Sequence, residues 1–385
     1  MSLATSVGRK PGFSLGSVKL GTRIYFGFGL VLNGEPVFAR GLCWVPLDTL
    51  RLHAEPSQYR AALTRLRDAG VNMVRVGGTM AYECDAFFEL CDELGLMVWQ
   101  DFAFACGLYP ATDWFVASVR AEAAAVVRAL RHHPSIVLWC GNNEDYAIAR
   151  SKGVYDGTAP VAPAADAHFP ARVLYEQVLP EVCAALDPER PYWPGSPFGG
   201  ADPNTGIEGD RHTWDVWHGQ MADYQDYGRY AGRFVSEFGM QSLPSLPALE
   251  SVLPEEARAP GSALLRFHNK AERGPERLQS YLDRNVPPAA DLADEVYLSQ
   301  LMQAEALGWA LRSFRRGFGG DGDRRVSGAL IWQWDDCWPV VSWAVVDYTL
   351  RAKASYYAVR RELAPLSLGL GPAPGGGAEV WAVSD

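Results

Sequence analysis

Apolar positions along the chain fall into two alternating patterns, short continuous runs and longer stretches with apolar residues three and four apart. Val37–Trp44 (VFARGLCW) reads as a strand. Pro56–Ala69 follows as a helix, with Tyr59, Ala62, Leu63, Leu66 and Ala69 on one face and Gly70 as its stop. Val71–Val76 predicts a strand, Tyr82–Leu94 a helix closed by Gly95, and Leu96–Phe102 another strand. Asp113 is placed to cap a long helix carrying Val116, Val119, Ala123, Val126, Val127 and Leu130 on one side. Ile136–Cys140 (IVLWC) is apolar on both faces, as a strand covered on both sides of a parallel sheet must be.

Beyond residue 150 the units lengthen. A helix is predicted over 166–187, and strands at Tyr192–Ser196, His212–Trp217, Phe234–Phe238 and Val326–Trp334. Asp294–Arg316 and Ala352–Glu362 read as helices, and Leu243–Gly261 and Gly317–Arg325 as long loops. Strands thus centre near residues 40, 73, 98, 138, 193, 214, 235 and 330. Eight strands joined by helical connections predict an α/β protein with a (β/α)8 TIM barrel, a fold of about 250 residues before insertions. The division expected is a lead-in over 1–36, the barrel over 37–365 and a tail over 366–385. No GxGxxG or P-loop motif supports the competing doubly wound sheet.

Reactive groups of such a barrel belong at the C-terminal ends of its strands. Glu144 follows the fourth strand after a Gly-Asn-Asn turn, and Glu237 ends the seventh. A lone Glu there is more often a helix-capping or solvated residue. Two carboxylates across one barrel mouth are what glycoside hydrolysis needs, one as acid and one to attack or to activate water. Asn143 beside Glu144 suits a sugar hydroxyl or a turn. Arg75, ending the second strand, suits a guanidinium that keeps Glu237 ionised or a structural ion pair. His212 and Trp214 at the sixth strand and Trp332 at the eighth suit hydroxyl contacts and stacking on a pyranose, or the core. Asp101 after the third strand reads as ligand contact or loop anchor.

Composition narrows the partners. The balance of 35 Lys+Arg against 45 Asp+Glu gives a net charge of −10, so nucleic acid and anionic membrane surfaces are not expected. The 13 Trp, 16 Tyr and 16 Phe favour a concave site for a ring-shaped polar ligand, with a Trp-rich core as the alternative. Seven scattered cysteines without a CxxC pair read as reduced core residues of a cytoplasmic protein. The seven His residues form no metal-binding array, and the chemistry requires no cofactor.

ARGLCWVPLD at 39–48, NMVRV at 72–76, CDELGLMVWQDFAFACGLYP at 91–110, HPSIVLWCGNNE at 133–144, GDRHTWDVWHG at 209–219, RFVSEFGMQSLPS at 233–245 and GALIWQWDDCWPVVSW at 328–343 resemble glycoside hydrolase family 2, and within it the β-mannosidase branch. The resemblance covers residues 20–363. It implies a retaining exo-β-glycosidase with Glu144 as general acid/base and Glu237 as nucleophile. Retention asks for carboxyls about 5–5.5 Å apart, and the acid role for a Glu144 pKa raised by burial and by the Glu237 charge. Terminal β-mannosides are the implied substrate. Glucosaminides, glucuronides or galactosides, or transglycosylation, are alternatives, as is a carbohydrate-binding barrel inactive without a partner domain. Two departures stand out: Gly77 replaces the Trp usual after Arg-Val, opening one wall, and WQWDD replaces Trp-Gln-Leu-Asn-Asp, adding the Asp335 charge near the mouth. The family's β-sandwich domains precede its barrel, whereas about twenty residues precede the stretch that the resemblance covers here. A homo-oligomer or a partner subunit is therefore in keeping with the resemblance. EVWAVSD at 379–385 resembles the first strand of the sandwich that follows the barrel.

Overall fold

The computed structural model describes residues 28–32, 34–157, 161, 168–318, 326–372 and 376–384. Most of the 1–36 lead-in, the start of the 166–187 helix and most of the Gly317–Arg325 loop lie outside them.

Eight strands form one parallel sheet: β1 (Ala39–Trp44), β2 (Met73–Val76), β3 (Met97–Asp101), β4 (Ile136–Cys140), β5 (Tyr192–Trp193), β6 (Arg211–His212), β7 (Val235–Phe238) and β8 (Gly328–Ile331). Their order is β5-β4-β3-β2-β1-β8-β7-β6, the cyclic order of a (β/α)8 barrel with the backbone ladder interrupted between β5 and β6. Side chains span that interruption. Asp210, fully buried, accepts hydrogen bonds from Trp193 Nε1 (3.0 Å), Ser196 Oγ (2.6 Å) and the Phe198 amide (3.0 Å), tying the end of β5 to the start of β6.

The expected helices form for local reasons. Pro56–Asp68 starts with proline in its first turn and a capping box between Glu55 and Gln58, and it buries Tyr59, Ala62, Leu63 and Leu66. Asp85–Leu94 stops at Gly95, whose φ of 69° is left-handed. Leu292–Arg316 is capped by Asp291, which accepts from the Asp294 amide at 2.9 Å. Leu243–Gly261, expected to be loop, contains a helix at Leu246–Glu250 with Pro247 in its first turn. Residues 366–372 and 378–384 pair as an antiparallel hairpin.

Two apolar clusters divide the barrel into layers. The larger lies between the strands and the helices; the smaller, built on Ala39, Cys43, Met73, Trp99, Val137, Leu138, Cys140, Phe234 and Leu330, fills the interior. Phe28 belongs to the interior set and packs on Trp99, Trp193 and Phe234. Its burial contributes about 1.5–3 kcal/mol.

Strand alternation then aims the polar residues. Met73 faces inward, so Arg75 does too; Trp99 brings Asp101 inward, and Leu330 brings Trp332. The two strands leading to Glu144 and Glu237 break this period. β4 carries one extra residue against β3, so that Val137 and Leu138 both point inward between outward Ile136 and Trp139. β7 carries one extra residue against both neighbours, and Ser236 and Glu237 both point inward between outward Val235 and Phe238.

Candidate active site

The bulge in β7 delivers Glu237 to the centre of a buried polar network. Arg75, fully buried, donates from Nη1 to Glu237 Oε1 (2.8 Å) and from Nη2 to Asp101 Oδ2 (2.9 Å) and Asn143 Oδ1 (2.7 Å). Trp214 Nε1 donates to the other Glu237 oxygen at 3.2 Å. Asp101 also accepts from Trp99 Nε1 (2.7 Å) and the Gly78 amide (2.9 Å), so its carboxylate is engaged as an anchor. Burial raises the Glu237 pKa; the charges of His212 and Arg75 oppose that rise without cancelling it.

Glu144 stands past the end of β4 with a left-handed backbone, φ 67°, a conformation that stores strain in a residue with a Cβ. Its amide donates to the Ser196 carbonyl at 2.7 Å. Each carboxylate oxygen has a partner: Oε1 lies 2.9 Å from His212 Nδ1, and Oε2 lies 3.5 Å from Cys106 Sγ. Burial alone would raise the Glu144 pKa, but the hydrogen bond and charge of His212 bring it down to about 2. The expected rise is therefore reversed in the resting protein, because the residue nearest Glu144 is an imidazole rather than Glu237.

His212 is buried between the two carboxylates, with Nδ1 3.4 Å from Glu237 Oε2 and Nε2 3.0 Å from Ser196 Oγ. Asn204 fixes its backbone, accepting from the His212 amide at 2.9 Å and donating to its carbonyl at 3.1 Å. Donor atoms of Glu144, His212 and Glu237 lie within 4.8 Å of one another. The Arg75 guanidinium already supplies the positive charge among them, which works against a metal ion at this point.

An open cleft of about 270 Å³ is lined by Glu144, His212, Trp214, His218, Asp215 and Asn204, among others. Glu237 reaches it through Trp214 and His212, while Arg75, Asp101 and Asn143 are buried. Trp214, His218 and Trp343 form an aromatic group beside it, with ring centroids 5.0–6.0 Å apart. Trp332 is half-buried against the interior cluster and does not line this cleft.

Four contributors escaped the sequence reading. Asp210, Ser196 and Asn204 hold His212; Asp210 was the most legible, since it precedes His212 by two and so shares its side of the strand. Cys106, exposed rather than core, carries no sequence signal beyond its place after β3. The other six cysteines are buried or half-buried, and all seven are free. His218, lowered by burial to about 4, puts a neutral imidazole on the cleft wall. Asp335 corrects the expectation of a charge near the mouth: it is fully buried, and burial drives its pKa well up, which favours the neutral acid. A Cβ on Gly77 would meet only Asp101 and Thr79, both at 3.8 Å, so space does stand open beside it.

Beta-mannosidase B of Thermothelomyces thermophilus is 44% identical over 358 residues, 91% of this chain and 41% of that protein. Beta-mannosidase B of Emericella nidulans is 42% identical over 346 residues, 88% of this chain and 40% of its own. The crystal structure of β-D-mannosidase from Dictyoglomus thermophilum superimposes with a TM-score of 0.84 at 42% identity, covering 95% of this chain and 44% of that one.

The chain is homologous to the β-mannosidases. The resemblance read from the motifs, to the β-mannosidase branch of glycoside hydrolase family 2, is borne out, and so is the TIM-barrel fold. No protein-family model matches the chain. An Amycolatopsis orientalis exo-chitosanase, at 20% identity and a TM-score of 0.69, shares the fold. This β-mannosidase-like chain spans about two fifths of the length of the curated relatives it matches. Among the described residues, no helix is long and apolar enough to cross a membrane.

Proposed function

We propose that this barrel hydrolyses terminal β-mannosides by double displacement, with Glu237 as nucleophile and Glu144 as general acid/base. The observation that carries this reading is the separation of the carboxylates. An oxygen of each lies within 4.8 Å of the other, in keeping with the about 5–5.5 Å between carboxyls that covalent catalysis uses and short of the about 6.5 Å or more of inversion.

The surroundings suit the two roles. Glu237 has one oxygen on Arg75 and the other on Trp214, which holds the carboxylate at one orientation for attack on the anomeric carbon. Glu144 opens to the cleft, with 28% of its side chain exposed against 5% for Glu237, so a glycosidic oxygen and later a water can reach it. Trp214 and Trp343 offer faces for the pyranose. Glu144 must carry a proton when the aglycone departs and lose it when water attacks the glycosyl ester. The homologues' names support mannose as the sugar. We assign the barrel to residues 37–365 and, from the free state of all seven cysteines, the protein to the cytoplasm.

A panel of 4-nitrophenyl β-glycosides tests this. Turnover of the β-D-mannoside, with β-anomeric mannose as first product and loss of activity in Glu237→Ala, is expected. Preference for the glucosaminide, glucuronide or galactoside would replace the substrate. Sugar binding without turnover of any of them would replace the enzyme by a binding barrel.

A further inference from the structure

We propose that the proton Glu144 delivers is stored on His212, the two residues forming one proton-holding pair that a bound glycoside switches from carboxylate and imidazolium to carboxylic acid and imidazole. The inference rests on the reading of Glu144 as acid/base and gives His212 a positioning and proton-storing part in place of hydroxyl contact.

Hydrogen-bond accounting carries it. Ser196 Oγ lies 2.6 Å from Asp210 Oδ2, 3.2 Å from Ser236 Oγ and 3.0 Å from His212 Nε2; its single hydrogen goes to the carboxylate, its shortest contact, to which Ser236 Oγ also donates at 2.5 Å, and its lone pairs are left for Nε2. Nε2 therefore donates. Nδ1 faces Glu144 Oε1 at 2.9 Å and Glu237 Oε2 at 3.4 Å, two acceptors, so it donates as well. A ring that donates from both nitrogens is an imidazolium.

The charges around the ring agree. Glu237 comes from β7, Glu144 from the loop after β4, and Asp210, reached through Ser196, from the start of the histidine's own strand. Arg75 of β2 stands opposed, 3.5 Å from Nε2, with its guanidinium shared among Glu237, Asp101 and Asn143. Burial would lower the His212 pKa, but Glu237 and Glu144 raise it above the ordinary imidazole value. On the far side of Glu144, Cys106 is pushed up to about 12 by partial loss of solvation around the thiol, although the residue as a whole is exposed, and by the Glu144 charge, so it stays a thiol that donates to Oε2.

The resting pair already holds the proton the reaction needs, on the neighbouring atom. A sugar in the cleft displaces water from the partly exposed Glu144 carboxylate, and loss of that solvation favours the neutral pair over the charged one. The Nδ1–H bond breaks, its electron pair staying on Nδ1, and the Glu144 Oε1–H bond forms. That proton passes to the glycosidic oxygen as its bond to the anomeric carbon breaks and a Glu237 oxygen bonds to that carbon. In the second half, the water oxygen bonds to the anomeric carbon as the ester bond to Glu237 breaks and its electron pair returns to that carboxylate; the water's proton goes to Glu144 and returns to Nδ1, so the cycle closes without net proton uptake.

His212→Asn keeps a side-chain donor but cannot store a proton. For 4-nitrophenyl β-D-mannoside, the alkaline limb of kcat/KM should move down by about one pH unit or more, because a carboxyl now holds alone the proton that the pair kept. With 2,4-dinitrophenyl β-D-mannoside, whose leaving group needs no proton, the loss of kcat/KM should be at least tenfold smaller. An unmoved limb, or equal losses on both substrates, would overturn the proposal. Should the variant not fold, ¹⁵N NMR of the wild-type imidazole at pH 6 decides: two protonated nitrogens on His212 support the store, and a neutral single tautomer overturns it. Absence of wild-type turnover on any β-mannoside would instead sink the glycosidase reading, and the NMR result would stand alone.

Discussion

The strand that carries Glu237 and the strand that leads to Glu144 share one irregularity, an extra residue that turns two successive side chains inward, yet the surroundings of the two carboxylates differ in almost every respect. Glu237 lies within its strand, nearly fully buried, with a guanidinium on one oxygen and an indole N–H on the other. Glu144 lies four residues past its strand, on a left-handed backbone, partly open to the cleft and held by an imidazole and a thiol. On the proposed reading, the difference suits what two carboxylates on one reaction path must do. One forms a bond to carbon and profits from a rigid seat; the other exchanges protons with successive partners and needs access and a proton source.

The largest effect expected from breaking this contrast is at the rigid seat. Glu237→Ala should lower kcat for any β-mannoside by roughly 10⁵-fold, since no other described group is placed to form the glycosyl ester. Retention of even one per cent of wild-type kcat would move the nucleophile elsewhere. Glu144→Ala should separate substrates instead: kcat/KM should fall by about 10²–10⁴-fold for 4-nitrophenyl mannoside and far less for the dinitrophenyl compound, and added azide should restore kcat and release β-mannosyl azide. Equal losses on both substrates would mean that Glu144 does not handle the proton.

Arg75→Met comes next and reads out in folding. It strands the buried Glu237 and Asp101 carboxylates, and chemical denaturation should show about 3–5 kcal/mol less stability near neutral pH. The loss should shrink as pH falls and the stranded acids bind protons in the folded state. A pH-independent loss would assign Arg75 to packing alone. Smallest of all, Cys106→Ala removes one weak donor from Glu144, and kcat/KM should change by less than about fivefold. A larger change would show that the thiol side of Glu144 matters as much as the imidazole side.

The sequence made the barrel legible because each strand is a short apolar run and each helix a 3.6-residue stripe, patterns that follow from burial on both faces or on one. His212–Trp217, read as a strand, is one only at Arg211–His212; from there the chain turns, with the Trp214 carbonyl accepting from the His218 and Gly219 amides. The bulge in β4 was hidden for a related reason. A run such as IVLWC is apolar on both sides, so nothing in it marks which residue is extra. Position after a strand identified both carboxylates, and the arginine expected beside Glu237 is there. What position could not supply was Ser196 and Asp210, brought to His212 by the meeting of distant strands, and hence the charge state of Glu144. The helix at Leu246–Glu250 was within reach, since Ser245 followed by a proline two residues on is a start signal.

The interrupted ladder between β5 and β6 gives the barrel the mechanics of a split ring. Any other widening would stretch backbone hydrogen bonds along a strand pair, but here the two lips are joined by the side chains around Asp210. Ser196 on one lip carries the Glu144 amide, and His212 forms the other. A small opening of the ring would therefore change the distance between acid and imidazole before it disturbed Glu237, whose strand is paired on both sides. On the proposed reading, fit to a sugar and transfer of a proton would then be coupled through the elasticity of one gap.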